Sequence, residues 1–476
     1  MSDNEQIEIR KECIKRLKKK GICVFGKKFD KTHSLADCIS VYKEGKHVST
    51  AGRVIALRGH GKMIFVDLQD ISGRLQLFIG KKQIGEEDFA LFNEVAIGDI
   101  IGVCGKLFKT KTDEITLMVE QFCFLTKSMR PLPEKWHGLR DIEIRYRRRS
   151  VDLMSNRYVT DLFITRAKII TEIRSFLEKR GYLEVETPMM QQIPGGATAE
   201  PFVTHHHALD IDLFLRVAPE LFLKRLLVGG FEKIFEINRN FRNEGLSRYH
   251  NPEFTMMELY SAFDDYTNMM ELTEEIIVHL CDKIVGTRKM KLSSTTEVTM
   301  DPPWQRLSYR DALKKFVGDE LRDTKSIQQK IKELSIDCSQ LQTPEEMLDA
   351  IFKRAVEPHL AGPVFIIDYP ASSAPLAKRS ERDSSLVERF ELFINGHEIA
   401  NAYSELNDPT EQRERFLEQS KSTGKEVDED FLIALEYGMP CAGGLGIGID
   451  RLVMVLTGAT SIRDVIFFPQ LRPQKK

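Results

Sequence analysis

Five short runs of strand-forming residues between positions 48 and 125 constrain the fold most. Turn signals such as Arg58-Gly59-His60-Gly61 and Ser72-Gly73 separate these runs. Five short strands in about 80 residues are typical of a small closed barrel. The five-stranded OB-type barrel, which binds oligonucleotides, is one candidate, and other small barrels share the pattern. The predicted strands cover residues 48–57, 63–67, 75–79, 100–107 and 115–124.

Beyond this region, segments of helix type and strand type alternate along the chain. An amphipathic helical period over 161–180 ends at Gly181, and a strand-type run to Pro188 follows it. An acid-rich helical stretch at about 308–360 lacks the glycines and short β runs on either side, so it is predicted to be an insertion. The fold class is therefore α+β. The predicted divisions are a basic helical extension (1–45), the barrel (46–126), a linker (127–145) and one large α+β domain (146–476).

Charge alone does not identify a partner. The 476 residues include 69 Lys plus Arg and 71 Asp plus Glu, a net charge of −2, so a polyanionic partner needs a local basic patch. Basic residues gather at 10–20, where the spacing is helical and Gly21 is a plausible end, and at 140–149, beginning with Arg140. Two interpretations of the first cluster stay open: a solvated helix, or a helix that contacts nucleic-acid phosphates.

Cysteine usage and hydropathy indicate the compartment. None of the eight cysteines forms a CxxC pair, which argues against a zinc ribbon or a redox motif. The first ten residues lack a charged-then-apolar leader, and no apolar run approaches about 18 residues, so secretion and membrane spanning are not expected. We expect a cytoplasmic protein with free thiols.

A pair of predicted strands carries the first group of chemically active residues, at 235–244 and 253–260. Because side chains alternate along a strand, Arg242 and Glu244 would share a face, and so would Glu258 and Tyr260. The two strands can present a cation, two carboxylates and a phenol to one cavity. The alternative is a polar strand pair with surface ion pairs.

Two later segments add carboxylates and glycines. In 391–405, Glu391 and Glu398 lie among apolar neighbours and suit Mg²⁺, which takes one or two protein carboxylates and leaves its other positions to water and nucleotide phosphates. In 442–452, alternating glycines leave one face of a strand bare, so that a flat ligand can lie against the backbone before a helix begins near Arg451. Close backbone packing is the alternative use of such glycines.

Together these segments resemble the three signature motifs of class II aminoacyl-tRNA synthetases. The helix and strand at 161–188 resemble the first motif, Phe241-Arg242-Asn243-Glu244 with His250 and Phe254 the second, and 444–451 the third. Asp450 stands where many members carry Glu. Segments 193–197, 218–220, 257–260 and 401–407 resemble the lysyl-tRNA synthetases in particular, and the likeness covers roughly residues 46–473.

The resemblance implies an antiparallel catalytic sheet flanked by helices, and a homodimer formed through Asp161 to Pro188. It implies that ATP binds bent, with adenine between Phe254 and Arg451, and that Arg242 bridges the α-phosphate and the lysine carboxylate. Arg242 and Arg451 would be catalytic, and Mg²⁺ would be held by Glu391 and Glu398. The implied ATP-binding residues are Arg242, Glu244, His250, Asn251, Phe254, Glu391 and Arg451.

Charge logic supports a cationic amino acid as substrate. Glu220, Glu258 and Glu405, with two tyrosines, would form an anionic pocket that suits two ammonium groups and repels an acidic substrate. By resemblance, Gly196 and Glu220 meet the α-amino group of L-lysine, and Glu405 meets the ε-ammonium. The implied lysine-binding residues are Gly196, Glu220, Arg242, Glu258, Tyr260, Asn401, Tyr403 and Glu405.

The barrel becomes an anticodon-binding domain for tRNA(Lys) by the same resemblance. Phe65 and Gln76 are predicted to stack on and hydrogen-bond a splayed base, with Arg58 and Glu114 beside them. For Phe65 the alternative is a core aromatic. Two other functions stay open: a paralogue that lysylates a protein, whose members lack the barrel, and a non-catalytic RNA-binding relative.

Overall fold

The structure is a computed structural model that describes residues 3–132, 139, 141–197, 199–292, 296–318, 321, 323–339, 341, 343–424 and 426–474. Arg140, which begins the predicted second basic cluster, lies outside the described residues. The chain divides into two compact units, Met1–Thr160 and Asp161–Lys476. No described helix is both long enough and apolar enough to cross a lipid bilayer.

The helices are α1 Asp3–Lys19, α2 Leu35–Ser40, α3 Lys81–Ile84, α4 Glu86–Phe92, α5 Ile142–Arg147, α6 Arg149–Ser155, α7 Arg157–Glu178, α8 Glu220–Val228, α9 Tyr266–Leu280, α10 Tyr309–Val317, α11 Thr324–Glu333, α12 Pro344–Ala355, α13 Pro409–Thr423, α14 Glu429–Glu436, α15 Ile449–Thr457 and α16 Ile462–Val465. The strands are β1 His47–His60, β2 Met63–Gln69, β3 Arg74–Gly80, β4 Ile100–Lys109, β5 Ile115–Thr126, β6 Leu183–Glu184, β7 Met190–Gln191, β8 Val203–His206, β9 Ile211–Leu215, β10 Lys233–Phe241, β11 Glu253–Ala262, β12 Lys289–Lys291, β13 Glu297–Thr299, β14 Gln305–Ser308, β15 Val364–Pro370, β16 Leu386–Ile394, β17 His397–Ser404 and β18 Ala442–Gly448.

The first unit contains the predicted barrel. Strands β1 to β5 close in the order β1-β2-β3-β5-β4, and only β3 and β5 pair in parallel. All five predicted strands are present, each a few residues longer than its apolar run, because backbone pairing continues beyond the buried side chains. Helix α1 belongs to this unit, since Ile14 and Leu17 are buried in the barrel's core.

The second unit is built on an eight-stranded sheet in the order β14-β15-β16-β17-β18-β11-β10-β6. Neighbouring strands are antiparallel except for β14–β15 and β10–β6, so the predicted α+β class and antiparallel-dominated sheet are confirmed. Helices α7, α9 and α15 cover the sheet through buried residues such as Ile173, Ile277 and Leu452. Helices α10 to α12 cross between the parallel pair β14 and β15 and share a separate core with these strands.

Two strand predictions were wrong in extent. Strand β10 ends at Phe241. The amide of Arg242 still donates to Pro252 O at 2.8 Å, but Pro252 has no amide hydrogen to donate in return, so the pairing with β11 stops there. Arg242 and Glu244 therefore lie in a loop and not on one strand face. The strand predicted to run to Pro188 covers only Leu183–Glu184. The predicted domain divisions stay predictions.

Candidate active site

The large sheet and its loops line a cavity of about 520 Å³ in the second unit. Residues from stretches far apart in the sequence meet there. The cavity is lined by every residue predicted for ATP, lysine and Mg²⁺, namely Gly196, Glu220, Arg242, Glu244, His250, Asn251, Phe254, Glu258, Tyr260, Glu391, Glu398, Asn401, Tyr403, Glu405 and Arg451. The cavity makes these residues neighbours, and their individual roles stay predictions.

The glycines of β18 make this convergence possible. Gly444 pairs with Tyr260 on one side and Tyr403 on the other, and Gly446 pairs with Glu258 and Asn401. A Cβ atom at Gly444 would overlap the Glu405 carboxylate and the Tyr260 ring. Because Gly444 has no side chain, the Glu405 carboxylate and the Tyr260 ring can lie against the strand. The predicted bare face of the strand has this further use.

The acidic part of the cavity is deeply buried. Glu258 is 7% exposed and has no hydrogen bond or ion pair with another described residue. Burial, reinforced by the nearby charge of Glu220, raises the pKa of Glu258 to about 8. Glu405 is 1% exposed, and among the described residues its Oε1 has no hydrogen-bond partner. A buried carboxylate without a partner, such as that of Glu258, is costly, so this part of the cavity is suited to a cationic ligand.

Arg242 is the least neutralised cation of the cavity. Its guanidinium lies 5.1 Å from the centre of the Phe254 ring and forms no ion pair with a described carboxylate. Its buried Nε has no hydrogen-bond partner among those residues either. Arg451, in contrast, donates to Glu398 O at 2.7 Å and lies 3.2 Å from His250 Nε2. Arg242 is therefore free to bind an anion.

Glu391 and Glu398 suit one divalent cation. Tyr369 donates to Glu391 Oε2 at 2.7 Å, and Arg389 pairs with the same carboxylate. Burial raises the pKa of Glu391, and the charge of Glu398 raises it further. No group of three or more metal-ligating side chains occurs in the described part of the chain. Two carboxylates are the number that Mg²⁺ takes from a protein when water and nucleotide phosphates fill its other positions, so Glu391 and Glu398 fit the predicted ion.

Two cavity residues hold the site together by contacts with backbone. The Asn251 amide donates to Glu253 O at 2.6 Å and accepts from Gln470 N at 3.1 Å, so both of its polar atoms have partners. Asp450 accepts from Thr255 N at 2.8 Å and lies 2.6 Å from Arg166 Nη1. Asp450, which stands where many members of the resembled family carry Glu, thereby connects α7, β11 and α15.

Sequence reasoning missed two cations of this region, the buried Lys224 and the half-buried Arg389. Lys224 lies one helical turn after Glu220, a spacing that could have identified the pair. Arg389 lies two residues before Glu391 on β16, and so on the same face. Its guanidinium is 4.5 Å from the Tyr369 ring centre and 3.3 Å from Asn401 Oδ1. No motif included either cation.

The residues predicted for the anticodon share the outer face of the barrel. Arg58 pairs with Phe65 across β1 and β2. Phe65 is half-buried, alternates with the core residue Val66, and packs 5.4 Å from the Phe78 ring. The core interpretation of Phe65 therefore does not hold, because its side chain points away from the barrel interior.

The polar groups of this outer face bind one another. Arg58 donates two 2.9 Å hydrogen bonds to Asp67, which also lies 2.6 Å from Arg74. Gln76 donates to Glu114 Oε2 at 3.0 Å. Sequence reasoning had not included Asp67 or Arg74. The register Asp67↔Gln76 places Asp67 beside the predicted set, and Arg74 lies two residues before Gln76 on the same face of β3.

Comparison with known families agrees with this architecture. The model described as tRNA synthetases class II (D, K and N) matches residues 141–472, and the model of the OB-fold nucleic acid binding domain matches residues 48–123. These two matches cover the large sheet with its cavity and the barrel. The first match places the chain among the class II tRNA synthetases. Full-length relatives then identify its family within that class.

Three relatives are similar over nearly their whole length. Each is a lysine–tRNA ligase. That of Carboxydothermus hydrogenoformans is 51% identical over 99% of both chains. That of Pelotomaculum thermopropionicum is 51% identical over 99% of this chain and 96% of its own, and that of Bacillus cytotoxicus is 45% identical over 98% and 97%. The chain belongs to the lysine–tRNA ligase family of class II tRNA synthetases.

Proposed function

We propose that the chain activates L-lysine with ATP to form lysyl-adenylate and pyrophosphate, and then transfers the lysyl group to the 3′ end of tRNA(Lys). One observation carries the proposal. A single cavity combines Arg242, which has no ion pair with a described carboxylate, with the buried Glu258, which has no partner among the described residues, and with Glu405, whose Oε1 has no hydrogen-bond partner among them. A ligand with two ammonium groups and one carboxylate complements this set.

The first step needs no general base. A lysine carboxylate oxygen is already ionised at neutral pH, so it can attack the α-phosphorus directly as the bond to pyrophosphate breaks. Arg242 is proposed to bind both the lysine carboxylate and the α-phosphate, which neutralises charge as the two approach. Phe254 and Arg451 are proposed to hold the adenine. Catalysis is then positioning plus electrostatic stabilisation.

The lysine pocket is proposed to recognise both amino groups. Gly196 and Glu220 bind the α-amino group, and Glu405 with Tyr260 binds the ε-ammonium, near Asn401 and Tyr403. Gly196 supports this assignment, since it has φ of +86° and a Cβ there would approach Glu220 Cβ to 3.0 Å. Because Gly196 has no side chain, a ligand can reach the neighbouring Glu220 carboxylate past its backbone.

Mg²⁺ is proposed to bind at Glu391 and Glu398. When bound, it supplies charge neutralisation to the nucleotide phosphates. Arg389 and Tyr369 orient the Glu391 carboxylate for that role through the contacts described above.

In the second step the terminal ribose 3′-hydroxyl of tRNA(Lys) attacks the lysyl carbonyl, and AMP leaves. The barrel is proposed to bind the anticodon through Arg58, Phe65, Gln76 and Glu114. A half-buried aromatic ring beside hydrogen-bonding side chains is the usual arrangement for reading unstacked RNA bases. On binding, contacts with RNA bases would replace the hydrogen bonds that the side chains of this face make with one another.

We further propose a homodimer formed through residues 161–188 and a cytoplasmic location. Leu183 is 50% exposed on the edge strand β6, and Met189 and Met190 are 42% and 55% exposed just beyond. A second copy would cover these apolar side chains. Sedimentation of the wild type and of Leu183→Asp tests this, with a dimer and a monomer expected. All eight cysteines are free, which suits a reducing compartment.

Lysine-dependent ATP–pyrophosphate exchange, followed by charging of purified tRNA(Lys), tests the whole proposal. Both reactions are expected. A protein-lysylating paralogue would exchange pyrophosphate without charging tRNA, and a non-catalytic RNA-binding relative would do neither. The closed barrel disfavours the first alternative, and the complete set of cavity residues disfavours the second.

A further inference from the structure

A lysine of the chain itself lies behind the proposed lysine pocket. Lys224, on α8, is 0% exposed, and its Nζ lies 2.8 Å from Glu220 Oε1 and 2.5 Å from Glu405 Oε2. Its side chain does not line the cavity, whereas both glutamates do. The ammonium therefore contacts the two carboxylates from the protein side and leaves their other side open to a ligand.

Burying an ammonium group in this position is costly unless its partners are charged. Burial lowers the pKa of Lys224, but Glu220 and Glu405 raise it more, so the group stays protonated. The two carboxylate oxygens that it contacts lie within about 5 Å of each other. Without the ammonium, two buried carboxylates at that separation would share one proton.

We propose that Lys224 is a positioning residue for substrate lysine: its ammonium orients the carboxylates of Glu220 and Glu405 and stabilises the ionised form of Glu405, so that both can bind the amino groups of the substrate. The inference rests on the proposed function.

The charges of the site balance only when Lys224 is included. In the complex, with Glu220, Glu258 and Glu405 all ionised against the cations Lys224 and Arg242, one net negative charge faces a substrate with one net positive charge. The other titratable groups that face the pair are Tyr260 from β11 and Tyr403 from β17. Burial raises the pKa of both phenols, so both are neutral.

The test compares Lys224→Met with Lys233→Met, which makes the same change at an exposed position on β10. Lysine-dependent ATP–pyrophosphate exchange is measured at about pH 7 and about pH 8.5. For Lys224→Met we expect KM for lysine to rise about tenfold or more at the lower pH, since one carboxyl becomes protonated. The ratio of variant to wild-type KM should shrink at the higher pH, while KM for ATP stays within about twofold. Lys233→Met should match the wild type.

The outcomes distinguish failure of the proposed function from failure of the role proposed for Lys224. If the wild type shows no lysine-dependent exchange, the proposed function is wrong. If the wild type exchanges normally and Lys224→Met has wild-type KM for lysine at both pH values, only the role of Lys224 is wrong. An equal rise in KM for ATP and for lysine, independent of pH, would also contradict the role of Lys224, since such a rise indicates general damage to the structure.

Lys224→Arg provides a second measurement if Lys224→Met does not fold. It keeps a cation at this position, so KM for lysine should stay within about threefold of wild type without added pH dependence. A folded Lys224→Arg that loses affinity for lysine as fully as a neutral side chain would contradict the role of charge.

Discussion

The catalytic cavity and the outer face of the barrel use similar side chains in opposite states. In the cavity, Arg242 and Glu258 have no charged partner among the described residues, and the Glu405 Oε1 atom is buried without a hydrogen bond. On the barrel, Arg58 is bound to Asp67, and Gln76 is bound to Glu114. The cavity therefore holds charged groups without charged partners among the described residues, whereas these polar side chains of the barrel face are paired with one another.

The difference lies in pairing and not in depth alone, since Asp67 on the barrel is only 1% exposed but is neutralised by two half-exposed arginines. In the cavity the fold holds buried charges unpaired, so a small ligand gains the whole interaction in a medium of low dielectric constant. The paired groups of the barrel face must exchange their present partners for RNA, so the net gain per contact is smaller. We therefore expect larger effects from changes in the cavity than from changes on the barrel.

The largest effect is expected for Arg242→Ala. Removal of the unpaired guanidinium should lower kcat for pyrophosphate exchange about a hundred- to a thousandfold, or about 3–4 kcal/mol, since charge at the α-phosphate is no longer neutralised. Arg239→Ala removes an exposed arginine from the adjoining strand and should have little effect. Equal, small losses in the two variants would contradict the assignment.

Next is Glu405→Gln. Loss of this buried carboxylate should weaken lysine-dependent exchange by about 2 kcal/mol or more, because the ε-ammonium of bound lysine then lacks its charged partner. The exposed Glu418→Gln on α13 is the matched control. An unchanged rate in Glu405→Gln would remove this residue from the pocket.

Phe65→Ala tests the barrel face. Loss of the stacking ring should weaken binding of tRNA(Lys) by about 1–3 kcal/mol, measured by filter binding at fixed salt. Pyrophosphate exchange without tRNA should be unaffected. Phe25→Ala, a partly exposed phenylalanine of the same unit, serves as control. A loss of exchange in Phe65→Ala would show that the two regions do not function separately.

The smallest effect is a pH dependence that the barrel face should lack. Since burial raises the pKa of Glu258 to about 8, this carboxyl is mostly protonated at neutral pH until lysine binds. Binding should release a proton, so KM for lysine should fall as pH rises to about 8, by at most about tenfold per unit. Calorimetry of lysine binding in buffers with different ionisation enthalpies measures the proton release. A KM that is constant over about pH 6 to 8 would contradict the ionisation change.

The fold was predictable to a large extent because its signals are local. The five barrel strands follow alternation of side chains and turn residues, and the glycines of β18 precede a helix as expected. The extent of β10 was not predictable. Its end lies opposite Pro252, which has no amide hydrogen to donate, and the residue that faces Pro252 is set by the register of β10 with β11.

The sequence by itself determined which chemical groups the protein has, in which motifs, and therefore its family and its preference for a cationic amino acid. Only the tertiary structure decided which of those groups are paired. Lys224 contacts Glu405 from a distant part of the chain, and Arg58 contacts Asp67 across two strands. The physical reason is that burial and pairing set the charge state of an ionisable group, and both depend on neighbours that sequence spacing does not reveal.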